Sequence, residues 1–225
     1  MISVCIPSYN GEKYINHQLT SILDQLSPID EVVISDDSST DDTIKIIESM
    51  NDKRIVLLKN NKFRSPCYNM ENAINYSKGD IIFLADQDDI WDKYKIEKII
   101  QIFDRDDTCD MVFTDANLID QNGNSLNKKL WQLIKLNLNS QYINIPINKF
   151  LKRSYITGAT MAIRSELYKK VAPFPVSWIH DEWLAINAVL SGKVYAISDT
   201  LIDYRQHSAN VIGVPKIRFI DKVKV

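Results

Sequence analysis

Short apolar runs alternate with amphipathic segments through the first 115 residues, and this alternation constrains the fold more than any other feature of the 225-residue chain. Runs of this kind without internal glycine or proline are typical of strands that are buried on both faces. The segments between them carry apolar residues at helical spacing. Regular alternation predicts an α/β fold with a mostly parallel sheet and helices on both faces. We expect strands at residues 2–6, 31–35, 54–58, 81–85 and 111–114.

The second half of the chain has a weaker pattern. Residues 117–146 are rich in Asn, Lys, Leu and Gln and have no clean strand period. The apolar residues at 130–138 have two interpretations, an irregular connection that packs on the core and a patch that faces a membrane. The first is favoured. Beyond it we expect a strand at residues 156–163 that is entered through a glycine-bearing turn, a helix at 165–171, a helix from His180 and strands at 194–197 and 201–204.

Composition and motif searches exclude several classes of protein. A net charge of −2 argues against a nucleic-acid binder, and three cysteines without a C-x-x-C pair argue against a disulfide framework or zinc site. The motifs of dinucleotide-binding dehydrogenases, P-loop proteins and α/β-hydrolases are missing from the sequence. No apolar run approaches the ~18–20 residues that span a bilayer. We therefore expect a soluble cytoplasmic protein that is at most peripheral at the inner face of the membrane.

An acidic run follows the expected strand at residues 81–85. Asp86, Asp88 and Asp89 lie within four residues, so their charges must be offset by water, Lys or Arg, backbone N–H groups or a divalent cation. Carboxylate oxygens suit Mg²⁺ or Mn²⁺, and ligands of open α/β sheets bind beyond the carboxyl ends of the strands. The alternative is a solvated loop in which Asp89 or Asp92 caps the next helix. The sequence of this stretch leaves both readings open.

Three further residues or pairs are candidates for the site, and their roles stay open. Asp36 and Asp37 end the second strand, and they would share a crevice with the acidic run if the two strands lie close together. Asp181 is at a probable helix start, where it is either a general base or an N-cap; local sequence favours the cap. His207 is a metal ligand, a phosphate contact or a surface histidine.

Several motifs, taken in order, resemble those of family 2 glycosyltransferases, which have the GT-A fold. They are residues 6–10 (IPSYN), 33–41 (VISDDSSTD) and 86–91 (DQDDIW). Residues 156–161 (ITGATM), 180–183 (HDEW) and 204–207 (YRQH) look like the bacterial rhamnosyltransferase-like branch. The resemblance covers residues 2–213. The order and spacing of these motifs are far more specific than any single motif.

The resemblance implies a nucleotide-sugar donor site. Pro7 and Tyr9 would line the pocket of the base, Asp37 would hydrogen-bond the base, and Asp86 would contact the ribose or metal side of the donor. Where many relatives have a glycine-rich loop, this chain has Phe63-Arg64-Ser65-Pro66-Cys67. Arg64 could meet the diphosphate, while Pro66 stiffens the loop.

The resemblance also implies a metal and a base. Asp88 would be the main protein ligand of Mn²⁺ or Mg²⁺, with Asp86 beside it and His207 near the diphosphate or the metal. Asp181 matches the acidic residue that serves as catalytic base. Relatives more often have Glu-Asp where this chain has His180-Asp181.

The implied reaction is an inverting, single-displacement transfer in surface polysaccharide synthesis. The donor would be dTDP-rhamnose or a UDP-sugar, and the acceptor a saccharide or a lipid-linked one. Residues 1–116 would form the nucleotide-sugar-binding half, 117–213 the acceptor-side and catalytic-base half of the same domain, and 214–225 a basic and apolar tail. Two alternatives remain: a retaining or nucleotidyl-transferring enzyme, and a non-catalytic nucleotide-sugar-binding subunit or sensor.

Overall fold

The computed structural model describes residues 1–59, 61–138, 142–143, 156–191 and 193–207, and the predicted tail at 214–225 lies outside this range. The first half has the expected alternation of strands and helices. Its elements are β1 (Ile2–Ser8), α1 (Ile15–Leu23), β2 (Glu31–Asp36), α2 (Thr43–Ser49), β3 (Ile55–Leu58), α3 (Pro66–Tyr76), β4 (Ile81–Leu84), β5 (Ile90–Trp91), α4 (Lys95–Arg105) and β6 (Cys109–Ile119).

The second half contains more regular structure than its sequence predicts. Its elements are β7 (Ser125–Lys129), α5 (Leu130–Leu133), β8 (Tyr142–Ile143), a 3-10 turn (Gly158–Thr160), β9 (Met161–Arg164), α6 (Ser165–Val171), α7 (His180–Ser191) and β10 (Lys193–Arg205). The two strands expected at 194–197 and 201–204 are one strand, β10, which stays paired with β6 through shifts of register. Such irregularities interrupt the alternation that identifies a strand in sequence.

These strands form a mixed sheet in the order β3-β2-β1-β4-β9-β6-β10-β5, with β7 paired to β6 and β8 to β10. The strands β1, β2, β3 and β4 are parallel to one another. β9 is inserted antiparallel between β4 and β6, and β10 runs parallel to β6. The α/β class is confirmed, with a parallel first half joined to a mixed second half.

Strand direction brings distant loops to one edge of the sheet. β1 lies between β2 and β4 and is parallel to both, so the segments after all three strands leave at the same edge. The 3-10 turn before the antiparallel β9 lies at this edge, as does the end of β10. This edge is where ligands bind in open α/β sheets.

The connection after β6 packs on the core, as expected. Leu130, Trp131 and Ile134 are buried, and the Trp131 ring lies 5.6 Å from that of Phe113, measured between centroids. In α7 the buried face contains Leu184, Ala185 and Ala188, whereas Leu190 is 67% exposed. Among the described residues, no helix is both long and apolar enough to cross a membrane.

Candidate functional site

A cleft of roughly 1340 Å³ opens at the carboxyl edge of the sheet. The segments after β1, β2 and β4 line it together with the starts of α3 and α7 and the end of β10. All of the predicted site residues are among its lining residues: Pro7, Tyr9, Asp37, Arg64, Asp86, Asp88, Asp181 and His207. The crevice expected between the second and fourth strand ends therefore exists, because β2 and β4 flank β1 in parallel. Of the two aspartates expected from β2, only Asp37 lines it; Asp36 is fully buried, and its carboxylate accepts the Ser8 hydroxyl at 2.7 Å.

One wall of the cleft, which we call the rim, contains Pro7, Tyr9, Asp37 and Arg64. The Tyr9 side chain is 56% exposed, and Arg64 is exposed with a left-handed backbone φ of 51°. An Asp37 carboxylate oxygen accepts the N–H of Phe63 at 2.6 Å and so holds the loop that bears Arg64. The rim presents an aromatic ring, a carboxylate and a guanidinium to the solvent.

Asp86 and Asp88 line the base of the cleft, and the carboxylate of Asp89 is buried beside theirs; we call these three residues the floor. One oxygen from each carboxylate lies within 4.8 Å of the other two. Asp89 is only 1% exposed, and its Oδ1 accepts the backbone N–H of Arg205 at 2.8 Å. Its Oδ2 is buried without a hydrogen-bond partner among the residues described. The floor therefore concentrates negative charge where water has little access.

Asp89 does not cap the following helix. The N-cap position of α4 is Tyr94, whose N–H is accepted by the Asp92 carboxylate at 2.9 Å. The two-residue strand β5 pairs with β10 directly after Asp89 and turns its carboxylate inward. The N-cap interpretation of Asp89 and the solvated-loop interpretation are both wrong for this residue.

Burial dominates the electrostatics of the floor. Loss of water, followed by the charges of Asp88 and Asp181, raises the pKa of Asp86 to about 7. The pKa of Asp89 is raised well above its usual range by burial and by the charges of Asp88 and Asp86. These carboxylates are in an environment that disfavours their charged forms unless a cation is close by.

Lys95 is the cation that the fold places beneath these carboxylates. Its side chain is 0% exposed, and its Nζ donates to the Ala159 carbonyl at 2.7 Å and lies 4.4 Å from the centre of the Trp91 ring. Burial lowers the pKa of Lys95 to about 7, against the opposing effect of Asp89 and Asp86. The sequence does not predict Lys95 as part of the site, because a lysine at a helix start gives no indication that it is buried.

Arg205 and His207 fasten the floor to the end of β10. Arg205 Nε donates to the Asp88 carbonyl at 2.6 Å, and its guanidinium lies 4.6 Å from the centre of the Tyr14 ring. His207 Nε2 lies 2.7 Å from an Asp88 carboxylate oxygen, and its ring stacks on Tyr14 at 5.4 Å. Asp88 and His207, which are 119 positions apart in the chain, are thus in direct contact.

Gln87 links the floor to the rim. Its side-chain oxygen accepts the N–H of Tyr9 at 3.0 Å, and its side-chain nitrogen donates to the Tyr9 carbonyl at 3.1 Å. Gly11 leaves room for this amide, because a β-carbon there would approach Gln87 Oε1 to 2.4 Å. The sequence alone assigns no role to Gln87.

Asp181 lies in the first turn of α7 at the side of the cleft. Its Oδ2 accepts the N–H of Gly158 at 3.2 Å, and its Oδ1 accepts the N–H of Glu182 at 2.7 Å. The first bond joins α7 to the 3-10 turn before β9, so the carboxylate is held between two elements. Asp181 lines the cleft together with Asp86 and Asp88, and its charge contributes, after burial and the charge of Asp88, to the raised pKa of Asp86.

The floor fits a hard divalent cation. Three carboxylates supply oxygen donors in one cluster, and one buried oxygen of Asp89 has no other partner in the described part of the chain. Oxygen donors are the ligands that Mg²⁺ and Mn²⁺ prefer. A cation would also relieve the repulsion that raises the pKa of Asp86.

Curated relatives of this chain are glycosyltransferases. It is 31% identical over 217 residues to an uncharacterized glycosyltransferase of Rickettsia typhi, covering 93% of this chain and 65% of that protein. It is 30% identical over 191 residues to an Escherichia coli UDP-Glc:α-D-GlcNAc-diphosphoundecaprenol β-1,3-glucosyltransferase, covering 83% and 69%. The chain thus spans just under two thirds of the length of the first relative.

Solved structures share the fold at low identity. Staphylococcus aureus TarS 1–349 in complex with UDP superposes with a TM-score of 0.71 and 22% identity, covering 91% of this chain and 60% of that one. A Pyrobaculum calidifontis mannosyltransferase in complex with GDP-Man and Mn²⁺ gives a TM-score of 0.68 and 19% identity, covering 90% and 56%. These similarities establish the GT-A fold.

The family model described as glycosyl transferase family 2 matches residues 3–172, which include the whole rim and floor. The rhamnosyltransferase-like branch receives no specific support from these comparisons and stays a prediction. The residues matched, the relatives and the fold agree on one assignment. The chain belongs to glycosyl transferase family 2.

Proposed function

We propose that this chain transfers a sugar from a nucleotide diphosphate to a saccharide hydroxyl, with inversion at the anomeric carbon, in polysaccharide biosynthesis. The observation that carries the proposal is the convergence of the rim, the floor and Asp181 on one cleft. A nucleotide diphosphate needs a surface for its base and a site for its charge. The rim and the floor supply the two within the same cavity, where Gln87 joins them.

The rim suits the nucleoside part of the donor. The exposed Tyr9 ring offers an apolar face to a base, and Asp37 offers an acceptor to base N–H groups. Arg64 lines the cleft two residues before the start of α3 and would meet a phosphate of the donor. Since the E. coli relative is named for UDP-Glc and the TarS structure contains UDP, we propose a UDP-sugar in preference to dTDP-rhamnose.

The floor suits the diphosphate through a divalent cation, Mn²⁺ or Mg²⁺. Asp88 and Asp86 would hold the cation, and Asp89 adds a third oxygen donor. When bound, such a cation neutralises negative charge that develops on a diphosphate leaving group. His207 and Arg205 hold the Asp88 side chain and backbone in place, so the protein presents its ligands in a fixed geometry. The Mn²⁺ complex of the Pyrobaculum enzyme supports this assignment.

Asp181 would act as the general base. Asp181 lines the same cleft as the floor carboxylates Asp86 and Asp88, and this suits a carboxylate that takes the proton from an acceptor hydroxyl as the oxygen attacks the anomeric carbon. A glycosidase needs a second carboxylic acid to protonate its leaving group. A diphosphate leaves without protonation, so one carboxylate is sufficient here. Attack opposite the leaving group inverts the anomeric configuration.

The same arrangement supports a separate role for each half of the chain, and the name of a relative suggests the acceptor. The rim and floor carboxylates come from residues 1–116, and Asp181 and His207 come from 117–213, in keeping with a donor half and an acceptor half. The E. coli relative is named for a diphosphoundecaprenol-linked sugar. We therefore propose a lipid-linked saccharide as acceptor, met at the inner face of the membrane.

The test is turnover of defined donors. The chain would be incubated with UDP-glucose, UDP-N-acetylglucosamine or dTDP-rhamnose and Mn²⁺, and nucleotide release would be followed with and without a glycoside acceptor. Release from one donor, accompanied by a product of inverted configuration in NMR spectra, supports the proposal. A retained configuration would favour the retaining alternative. Folded protein that binds a donor yet releases no nucleotide would favour the non-catalytic sensor.

A further inference from the structure

His180 is a cleft residue for which the catalytic assignment above has no role. It is the first residue of α7, directly before Asp181, and it lines the cleft although only 7% of it is exposed. Its ring packs beside Phe174, with a distance of 6.4 Å between centroids. Nδ1 is buried and has no hydrogen-bond partner among the described residues. A buried polar atom in this condition is normally destabilising.

The other ring nitrogen, Nε2, lies against the backbone of Gly158, which also lines the cleft. A β-carbon on Gly158 would approach His180 Nε2 to 2.9 Å, and the Gly158 N–H donates to Asp181 at 3.2 Å. Nε2 and the Asp181 carboxylate therefore flank the same glycine. Gly158 lets the imidazole edge reach the side of the cleft where Asp181 is held.

The chemistry of the ring suits a neutral ligand. Burial lowers the pKa of His180, so the imidazole is uncharged at neutral pH and offers one donor and one acceptor nitrogen. A glutamate, the commoner residue in the resemblance, would add a negative charge beside Asp181. The imidazole instead places an uncharged hydrogen-bonding edge there. Sugar hydroxyl groups, which both donate and accept, match such an edge.

We propose that His180 is a specificity-determining residue that hydrogen-bonds a sugar hydroxyl beside Asp181 through Nε2. This inference rests on the proposed function of the cleft and names a recognition contact within it. The hydroxyl belongs either to the sugar of the donor or to the acceptor saccharide. Both have the same chemistry, and the two arms of the experiment separate them.

The experiment compares His180→Phe with His180→Gln in the full chain with Mn²⁺. Phenylalanine keeps a flat ring beside Phe174 and removes both nitrogens, whereas glutamine keeps a neutral donor and acceptor. Dissociation constants for UDP and UDP-glucose and the KM of a glycoside acceptor would be measured for each variant. We expect H180F to weaken one sugar-dependent constant by about 3- to 10-fold, to leave UDP binding unchanged, and H180Q to restore part of the loss.

The pattern of the loss identifies the source of the hydroxyl. If the donor sugar supplies it, H180F weakens UDP-glucose but not UDP. If the acceptor supplies it, H180F raises the acceptor KM and leaves both donor constants unchanged. Should H180F fail to fold, as judged by circular dichroism, H180N replaces it, because its shorter amide withdraws from the position of Nε2.

Two results would overturn the inference at different levels. Unchanged constants for UDP-glucose and acceptor in a folded variant without the imidazole would make His180 a packing residue, and the proposed function would stand. Failure of the wild-type chain itself to bind UDP or UDP-glucose in the presence of Mn²⁺ would remove the proposed function and the inference together.

Discussion

The rim and the floor of the cleft are built by opposite physical means. Rim side chains such as Tyr9 and Arg64 are exposed, and they are carried by loops joined to their neighbours through backbone and side-chain hydrogen bonds. In the floor, Asp89 and Lys95 are buried, and the pKa values of Asp86 and Lys95 both move to about 7. The rim can adapt to a ligand, whereas the floor is held fixed around a concentration of charge.

This difference assigns separate tasks to the two regions. The exposed side chains of the rim stay hydrated in the free protein, so they suit recognition of a base by direct contact. Floor carboxylates have already lost water and strongly favour a cation that restores their charge balance. Changes in the floor should therefore affect turnover most, and changes in the link between floor and rim should affect binding.

The largest effect is expected from Asp88→Asn, which weakens the floor. We expect turnover to fall by about 10³-fold, since charge stabilisation by a divalent cation is worth several kcal/mol. Nucleotide release from UDP-glucose at saturating Mn²⁺ measures the turnover. The matched control is Asp92→Asn, whose carboxylate holds the Tyr94 N–H outside the cleft. Turnover of D88N equal to that of D92N would mean that Asp88 is no metal ligand.

A loss of about 10²- to 10⁴-fold in kcat is expected for Asp181→Asn, because it removes the proposed general base. Binding of UDP should stay at the wild-type value, since Asp181 makes no contact with the rim among the hydrogen bonds of the described residues. Glu182→Gln is the control on the same helix turn. If transfer by D181N persists at the rate of E182Q, Asp181 serves only to hold α7 against the 3-10 turn.

Gln87→Leu tests whether rim and floor act on one ligand. Leucine keeps the approximate size of the side chain and removes both hydrogen bonds to the Tyr9 backbone. We expect the dissociation constant of UDP to rise about tenfold, while kcat at saturation changes less. Gln101→Leu on the exposed face of α4 is the control. A variant in which kcat falls and UDP binding is intact would show that Gln87 supports the floor alone.

The smallest effect is a dependence of stability on pH in metal-free protein. Asp86 ionises near its ordinary value of 3.8 when unfolded and at about 7 when folded. Between these values the folded state holds a proton that the unfolded state has lost, so stability falls as pH rises from about 4 to about 7. In EDTA, the Tm of the wild type should drop by a few degrees relative to Asp86→Asn over this window. Parallel Tm curves would contradict the raised pKa.

The sequence predicts the cleft residues at strand ends better than the residues that support the floor, for a physical reason. Pro7 lies at the end of β1, and Tyr9, Asp37, Asp86 and Asp88 come just after β1, β2 and β4, so the parallel strands bring these residues together. Lys95, Gln87 and Arg205 act through contacts with residues far away in the chain. Their local sequence resembles that of surface helices and loops, so no periodicity indicates that they are buried or paired.

The same distinction explains the errors in the fold. The sequence leaves open whether Asp89 caps a helix, because the two-residue β5 is too short to have a pattern, yet the pairing of β5 with β10 decides where the carboxylate lies. β10 is read as two strands because its pairing with β6 shifts register twice between Ile197 and Asp203. Both features depend on partners from the other half of the chain.

The most direct test of the central claim, that the rim and the floor hold one nucleotide together through a metal, is the thermal stability of the wild-type chain with nucleotides. UDP, dTDP, GDP and CDP would each be added with and without Mn²⁺. A ligand at 100 times its dissociation constant stabilises the folded state by about 2.7 kcal/mol. We expect UDP with Mn²⁺ to raise the Tm by several degrees, and UDP alone to raise it little. An equal shift without the metal, or no shift with any of the four nucleotides, would contradict the claim.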